Sequence, residues 1–415
     1  MEESYSIQEE YLEYNIRTNI INGILATAAL NLVNPYFAKF AERLGATDYQ
    51  IAYLTSLPHF FSILAFIPGA ILIESLKNKQ KVVGSIMLIQ KFFYLFMAFI
   101  PFLNLNQASL FIFLVGFMNL PGAIGNMGYQ SSMGDVFLTQ DRGKAMGLRY
   151  RYSSTVGIII TFISGRLLTS LPKSPADTIK LYQIFFIIAF VLAFIEVVFY
   201  FKFKGVNKNE KVSSNYIASL KDVIKNLPKR KKFIIFTICS LFFHIGWVGA
   251  QPLFNIYIIK ILKANETWLS IMSIASGISS IATYTKWASF AEKKGNGIAL
   301  TIAIIGMGIT PILYALSRSL FMLVLFNIII GVSVAGTTSL LFSILLEIIP
   351  NNNRTIYIGV YNTMIAIISA ISPILGVKIM NMTNIKISLI IIAVIRLTAS
   401  ILFYTGSNLT KKHPS

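Results

Sequence analysis

The sequence has one cysteine, three histidines and three tryptophans in 415 residues, and only 17 acidic residues against 36 lysines and arginines. A lone cysteine, Cys239, cannot close a disulfide within the chain, and its place inside an apolar run suits a buried, inert thiol. No cluster of histidine, cysteine and acid at metal-ligand spacing occurs, so no metal or other cofactor is expected. A Gly-x-x-x-x-Gly-Lys-Ser/Thr loop is also missing, which argues against ATP hydrolysis by a phosphate-cradling loop. Charged residues of both signs make up 13% of the chain, about half of what a soluble domain carries.

What the chain has in excess is apolar surface. Hydrophobic residues are 55% of the total and mean hydropathy is +0.67. A bilayer can use that surface, since each spanning helix takes about 20 predominantly apolar residues. The net charge of +19 would suit a nucleic-acid partner, but its placement excludes that reading: ten of the 36 cations fall between Lys202 and Lys232, and most others sit in short gaps between apolar runs. The first thirteen residues hold five acids and no base, so neither a secretory nor a transit peptide is expected there.

Apolar runs fall near 17–40, 49–73, 82–103, 108–137, 144–170 and 179–203, then 233–260, 267–289, 297–316, 319–347, 356–380 and 386–406. This predicts an all-α membrane protein of twelve spans: a six-helix bundle over 1–203, a linker over 204–232 containing the amphipathic Tyr216–Leu227, and a second six-helix bundle over 233–415. With the amino terminus inside, 24 lysines and arginines fall on the inner side and ten on the outer, which places both termini in the cytoplasm.

The two groups of six are related. Asp135, Arg142 and Gly147 have counterparts in Glu347, Arg354 and Gly359, each 212 residues further on, while Glu74 and Glu292 are 218 apart. Equivalent motifs fall on the same side of the membrane, so the repeat is parallel. With these motifs in register, the chain resembles the major facilitator superfamily over essentially its whole length. That family carries Gly-x-x-x-Asp-Arg-x-Gly-Arg-Lys after its second helix. Ala288 to Asn296 is similar, with Glu292 at the acidic position, Lys293 at the basic one and Gly295 in place, whereas Lys77 replaces the expected glycine in the first-half copy. The second signature, an acid seven residues before Arg-Gly-x-x-x-Gly, is matched by Asp135, Arg142, Gly143 and Gly147.

The resemblance implies two bundles with substrate between them near mid-membrane. It also implies that Glu74, Asp135, Arg142, Glu292, Glu347 and Arg354 act as gates, since acids at helix ends gain from neighbouring helix dipoles and arginines. Spans one, four, seven and ten would line the cavity. Span seven presents His244, Trp247, Gln251 and Asn255 on one helical stripe. Span four presents Asn119, Asn126 and Gln130 beside Tyr129, span one Asn22, Asn31 and Asn34, and span ten Asn327 and Thr338. Amides cannot face lipid unsatisfied, so these faces turn toward protein or water.

Ionisable groups inside spans are expensive and mark candidate sites. Lys91 and Arg396 lie well inside, Arg149 and Arg151 enter span five, Glu196 is the only acid deep within a span, and His59 and His244 sit near mid-span. Interior cations outnumber anions, which favours an anionic or polar solute, with Arg149 among the binding residues and His244 and Glu196 as candidates for ion coupling. Span five lacks the Gly-Pro motif of many multidrug antiporters in this superfamily, although a proton-coupled multidrug or amphiphile exporter stays the alternative. A membrane enzyme built on His59, His244 and Glu196 is disfavoured because they share no close spacing. The expected protein is a monomeric secondary transporter in a bacterial cytoplasmic membrane, with a small-molecule substrate, protons or another ion as coupling partner, lipids around it, and no nucleic acid.

Overall fold

The computed structural model describes residues 10–75, 78–206, 216–350 and 354–406. The side chains of Glu74 and Arg354, both named above as gates, lie outside the described residues. The described chain is helical, with no strand: α1 (Leu12–Val33), α2 (Phe37–Arg43), α3 (Asp48–Ser75), α4 (Lys79–Phe99), α5 (Gln107–Phe117), α6 (Asn119–Val136), α7 (Thr139–Ser170) and α8 (Pro175–Phe201), then the short α9 (Tyr216–Asn226), followed by α10 (Lys231–Ile256), α11 (Glu266–Lys294), α12 (Asn296–Leu316), α13 (Leu320–Ile348), α14 (Arg354–Met382) and α15 (Ile385–Gly406).

The sequence marks these helices locally. Asn78, Asn106, Ser174, Asn265, Ser319 and Asn384 each accept a hydrogen bond from the main-chain N–H three residues on, satisfying one of the free donors that every helix start exposes. Pro35 interrupts the first membrane segment, where a 3-10 turn at Asn34–Tyr36 separates α1 from α2. A one-turn π-helix at Tyr257–Ile261 closes α10 after Pro252.

Among the described residues, 11 helical segments have the length and apolar composition to cross a membrane. The remaining long helix, α11, has 29 residues, long enough for a bilayer. It falls below the others in apolar content because it carries Glu266, Lys286, Glu292, Lys293 and Lys294 and several serines and threonines. The chain is a multi-pass membrane protein.

Two compact units divide it, one of 1–46 with 60–213 and the other of 47–59 with 214–415. In the first, α1 packs on α7 and α8, and α4 packs on α6 and α8. In the second, α10 packs on α14 and α15, and α12 packs on α13 and α15. The same pairing thus occurs twice, as the 212- and 218-residue displacements require of a duplication. Residues 47–59, the start of α3, cluster with the second unit although they belong to the first half of the sequence. Within that unit Lys260 Nζ meets Asp48 Oδ1 at 2.7 Å.

Candidate functional site

In the first unit the polar side chains converge on α1. Asn15, Asn19 and Asn22 follow one another at i, i+4 and i+7, a single helical stripe, and all three are buried. Asn15 clasps the main chain of Lys204 in both directions, donating to its carbonyl at 3.2 Å and accepting from its N–H at 3.1 Å. Further along, Arg149 of α7 reaches across: its Nη1 donates to the Asn19 carbonyl (3.0 Å), Asn19 Oδ1 (3.1 Å) and Asn22 Oδ1 (2.6 Å). The guanidinium lies 4.8 Å from the centre of the Tyr129 ring, and the Tyr129 hydroxyl donates to Asn19 Oδ1 at 2.7 Å. The approach needs Gly23, where an added methyl group would sit 2.6 Å from Arg149 Cγ and 2.6 Å from Ser153 Oγ. That serine hydroxyl is buried without a hydrogen-bond partner among the described residues.

Arg149 is held entirely by neutral groups. Its Nε and Nη2 make no hydrogen bond to a described residue and it pairs with no described carboxylate, so one edge of the guanidinium fork is unused. The nearby acid is taken: Lys91 Nζ of α4 lies 2.9 Å from Glu196 Oε2 of α8, with side chains 13% and 5% exposed. The contact is one of charge rather than of hydrogen-bond geometry, since Oε2 meets no donor at a suitable angle. Asn22 links the two groups, donating to the Glu196 carbonyl at 2.9 Å while accepting from Arg149.

The second unit is built around Arg396, which is fully buried in α15. Its Nη1 donates to the Met307 carbonyl at 2.6 Å, Nε to that of Gly246 at 3.1 Å and Nη2 to that of Trp247 at 3.2 Å. The first bond has a local cause. Pro311 stands four residues after Met307 and has no N–H, so the Met307 carbonyl loses its helical partner and the arginine supplies one. Gly246 allows the approach, because a methyl group there would lie 2.8 Å from Arg396 Cγ. We expect a double-mutant cycle to expose this: Arg396→Met orphans the carbonyl at a cost of about 1–3 kcal/mol in the Pro311 protein, and that part of the cost disappears when Pro311→Ala restores an N–H. Equal Arg396→Met effects in both backgrounds, read by thermal unfolding, contradict it.

One turn from Gly246 and Trp247, His244 Nδ1 lies 2.7 Å from the Ser240 carbonyl. A carbonyl can only accept, so Nδ1 carries a proton and donates it to Ser240. The imidazole packs against Trp247 at 5.3 Å.

The other predicted residues divide into exposed and internally bonded groups. Asn126 and Gln130 are exposed on one face of α6, with Gln130 Nε2 3.5 Å from Asn126 Oδ1. Asn34 and Gln251 are exposed as well, and Asn255 is half-buried. Asn31 is occupied by Thr27 and Thr161, Asn119 at the start of α6 donates to the Val115 carbonyl of α5, and Asn327 and Thr338 bond carbonyls of their own helices. Among the gate candidates, Asp135 Oδ2 pairs with Lys79 Nζ at 2.6 Å, while Arg142 caps the end of α6 through the carbonyls of Gly134 and Phe137. In the second half Glu347 Oε2 accepts from Asn296 Nδ2 at 3.1 Å, and Glu292 is exposed. Asp135 and Glu347 are repeat partners, so the same clasp between the third and fourth long helices of a bundle is made twice.

Two halves that share the packing of the first long helix on the fifth and sixth and of the third on the fourth and sixth, most of their helices apolar enough to cross a membrane, define a membrane-transporter fold. The MFS_1 like family model matches residues 24–376, and the chain belongs to that family. No curated protein matches it. Among solved structures, a mutant of the nucleoside transporter NupG superposes with a TM-score of 0.72 at 17% identity, covering 94% of this chain and 99% of that one. A bacterial homologue of the human lysosomal transporter Spinster, inward-facing and unoccupied, gives 0.71 at 13% identity over 98% and 99%. A POT family transporter in complex with 5-aminolevulinic acid gives 0.65 at 13% over 96% of each chain. These likenesses establish the fold. All three of these solved structures are named as transporters.

Proposed function

We propose that the chain is a secondary transporter that carries a small anionic or polar solute across a bacterial cytoplasmic membrane by alternating access, as a monomer with both termini in the cytoplasm. The observation that carries the solute preference is Arg149: a guanidinium inside a membrane bundle, positioned by amides on one edge and unengaged on the other, is prepared for a carboxylate, phosphate or other acceptor. Exposed Asn126 and Gln130 on α6, and His244, Trp247, Gln251 and Asn255 on α10, supply further donors, acceptors and an aromatic face. Asp135, Arg142, Glu292, Glu347, Glu74 and Arg354 act as gates in this reading, and Glu196 or His244 carries the coupling proton.

Binding to the folded state raises apparent stability by mass action. Thermal unfolding of the purified protein against carboxylates, phosphate esters, neutral polyols and lipophilic cations is expected to show stabilisation by members of the first three classes. Selective stabilisation by lipophilic cations would overturn the preference and favour the proton-coupled amphiphile exporter.

A further inference from the structure

The linker helix α9 leads directly into the apolar segment Lys231–Ile261 and has two unlike faces. Leu220, Val223 and Leu227, at i, i+3 and i+7, turn inward, with Val223 buried at 1% exposure in the core of the second unit. A second, exposed face carries Lys221, Ile224 and Lys225, at i, i+3 and i+4, with Ile224 54% exposed beside the inward face. A 3-10 turn at Leu227–Lys229 ends on Lys229, and Arg230, Lys231 and Lys232 follow, all four again exposed. None of these six cations pairs with a described carboxylate. The one acid of the segment, Asp222, accepts instead from Asn226 Nδ2 at 2.9 Å.

We propose that this surface is a docking site for anionic phospholipid headgroups. Charge complementarity selects the occupant: six cations without a described carboxylate partner at the mouth of a membrane span, beside one exposed aliphatic side chain, match a phosphate layer with acyl chains beneath it. Ile224 enters the acyl boundary while the lysines and Arg230 meet phosphates, so α9 lies on the membrane with its inner face on the protein. The lipid thereby braces the second unit through Val223.

The test titrates full-length purified protein with short-chain phosphatidylglycerol, phosphatidylcholine of the same chain length, and glycerol 3-phosphate, reading the unfolding temperature. Phosphatidylglycerol is expected to stabilise through Lys221 and Lys225, the other two are not expected to act through these lysines, and added salt is expected to erase the phosphatidylglycerol effect. Each removed cation loosens the lipid roughly fivefold, so Lys221→Gln with Lys225→Gln is expected to raise the lipid concentration needed by roughly 25-fold. Ile224→Ser is expected to weaken the response without changing stability in its absence, and with the wild-type salt dependence it decides the matter where the double variant does not fold. Equal stabilisation by phosphatidylglycerol and phosphatidylcholine, salt-independent stabilisation, or stabilisation by glycerol 3-phosphate that is lost in Lys221→Gln with Lys225→Gln overturns the proposal.

Discussion

Replacing Lys91 with methionine is expected to destabilise the protein by about 3–5 kcal/mol, and replacing Glu196 with methionine as well is expected to restore most of that loss. The pair sits inside the first bundle, so either residue alone is an uncompensated charge in a place with little water. The second substitution removes that penalty and leaves two apolar side chains of similar length. The measurement is thermal unfolding of the two single variants and the double variant. Additive losses would mean that the residues do not function as a pair. Transport separates the structural role from the coupling role proposed for Glu196. If the ion pair only supports the fold, the double variant recovers gradient-driven uptake with its stability. If Glu196 carries a proton, the double variant is stable yet no longer accumulates solute against its gradient.

Loss of Arg149 is expected to be the most damaging single change to transport. Arg149→Ala removes the open guanidinium edge and uncovers the acceptors on Asn19 and Asn22, so uptake is expected to fall by a hundredfold or more, on the order of 3 kcal/mol of lost recognition. Arg149→Lys keeps the charge but not the planar fork; an ammonium occupied by Asn19 and Asn22 has little left for a ligand, so recovery is expected to be slight. Gly23→Ala tests the same geometry from the opposite wall, because its methyl group would displace both Arg149 and Ser153. Rates of uptake in proteoliposomes, with folding checked by unfolding temperature, decide the question. Near-normal uptake by Arg149→Ala would remove this residue from the solute path.

Much of the fold is legible in the sequence because membrane physics is written locally. Apolar runs must match bilayer thickness, and the six Asn and Ser caps mark helix starts wherever a chain re-enters. The stripe of Asn15, Asn19 and Asn22 is equally local, and its spacing was a usable signal for a buried amide face. Partners are a different matter. Lys91 and Glu196 each stand out as a charge within a span, but their pairing depends on how α4 crosses α8, which no local pattern encodes. Arg396 and Pro311 are both conspicuous alone, and only the packing of α15 on α12 joins the cation to the freed carbonyl. Asp135 and Arg142 lie close in sequence, yet Asp135 meets Lys79 because the α6–α7 turn directs the guanidinium back onto helix-end carbonyls. The clustering of residues 47–59 with the second unit is likewise a property of packing that no local pattern encodes.

The twofold clasp at the ends of α6 and α13 has diverged in kind. One copy joins a lysine to a carboxylate, both partly open to solvent, and the other joins an amide to a carboxylate. A neutral donor feels dissolved ions far less than a cation does. Rising salt is therefore expected to loosen the Lys79–Asp135 copy while the Asn296–Glu347 copy holds, so the two halves are expected to respond unequally to ionic strength.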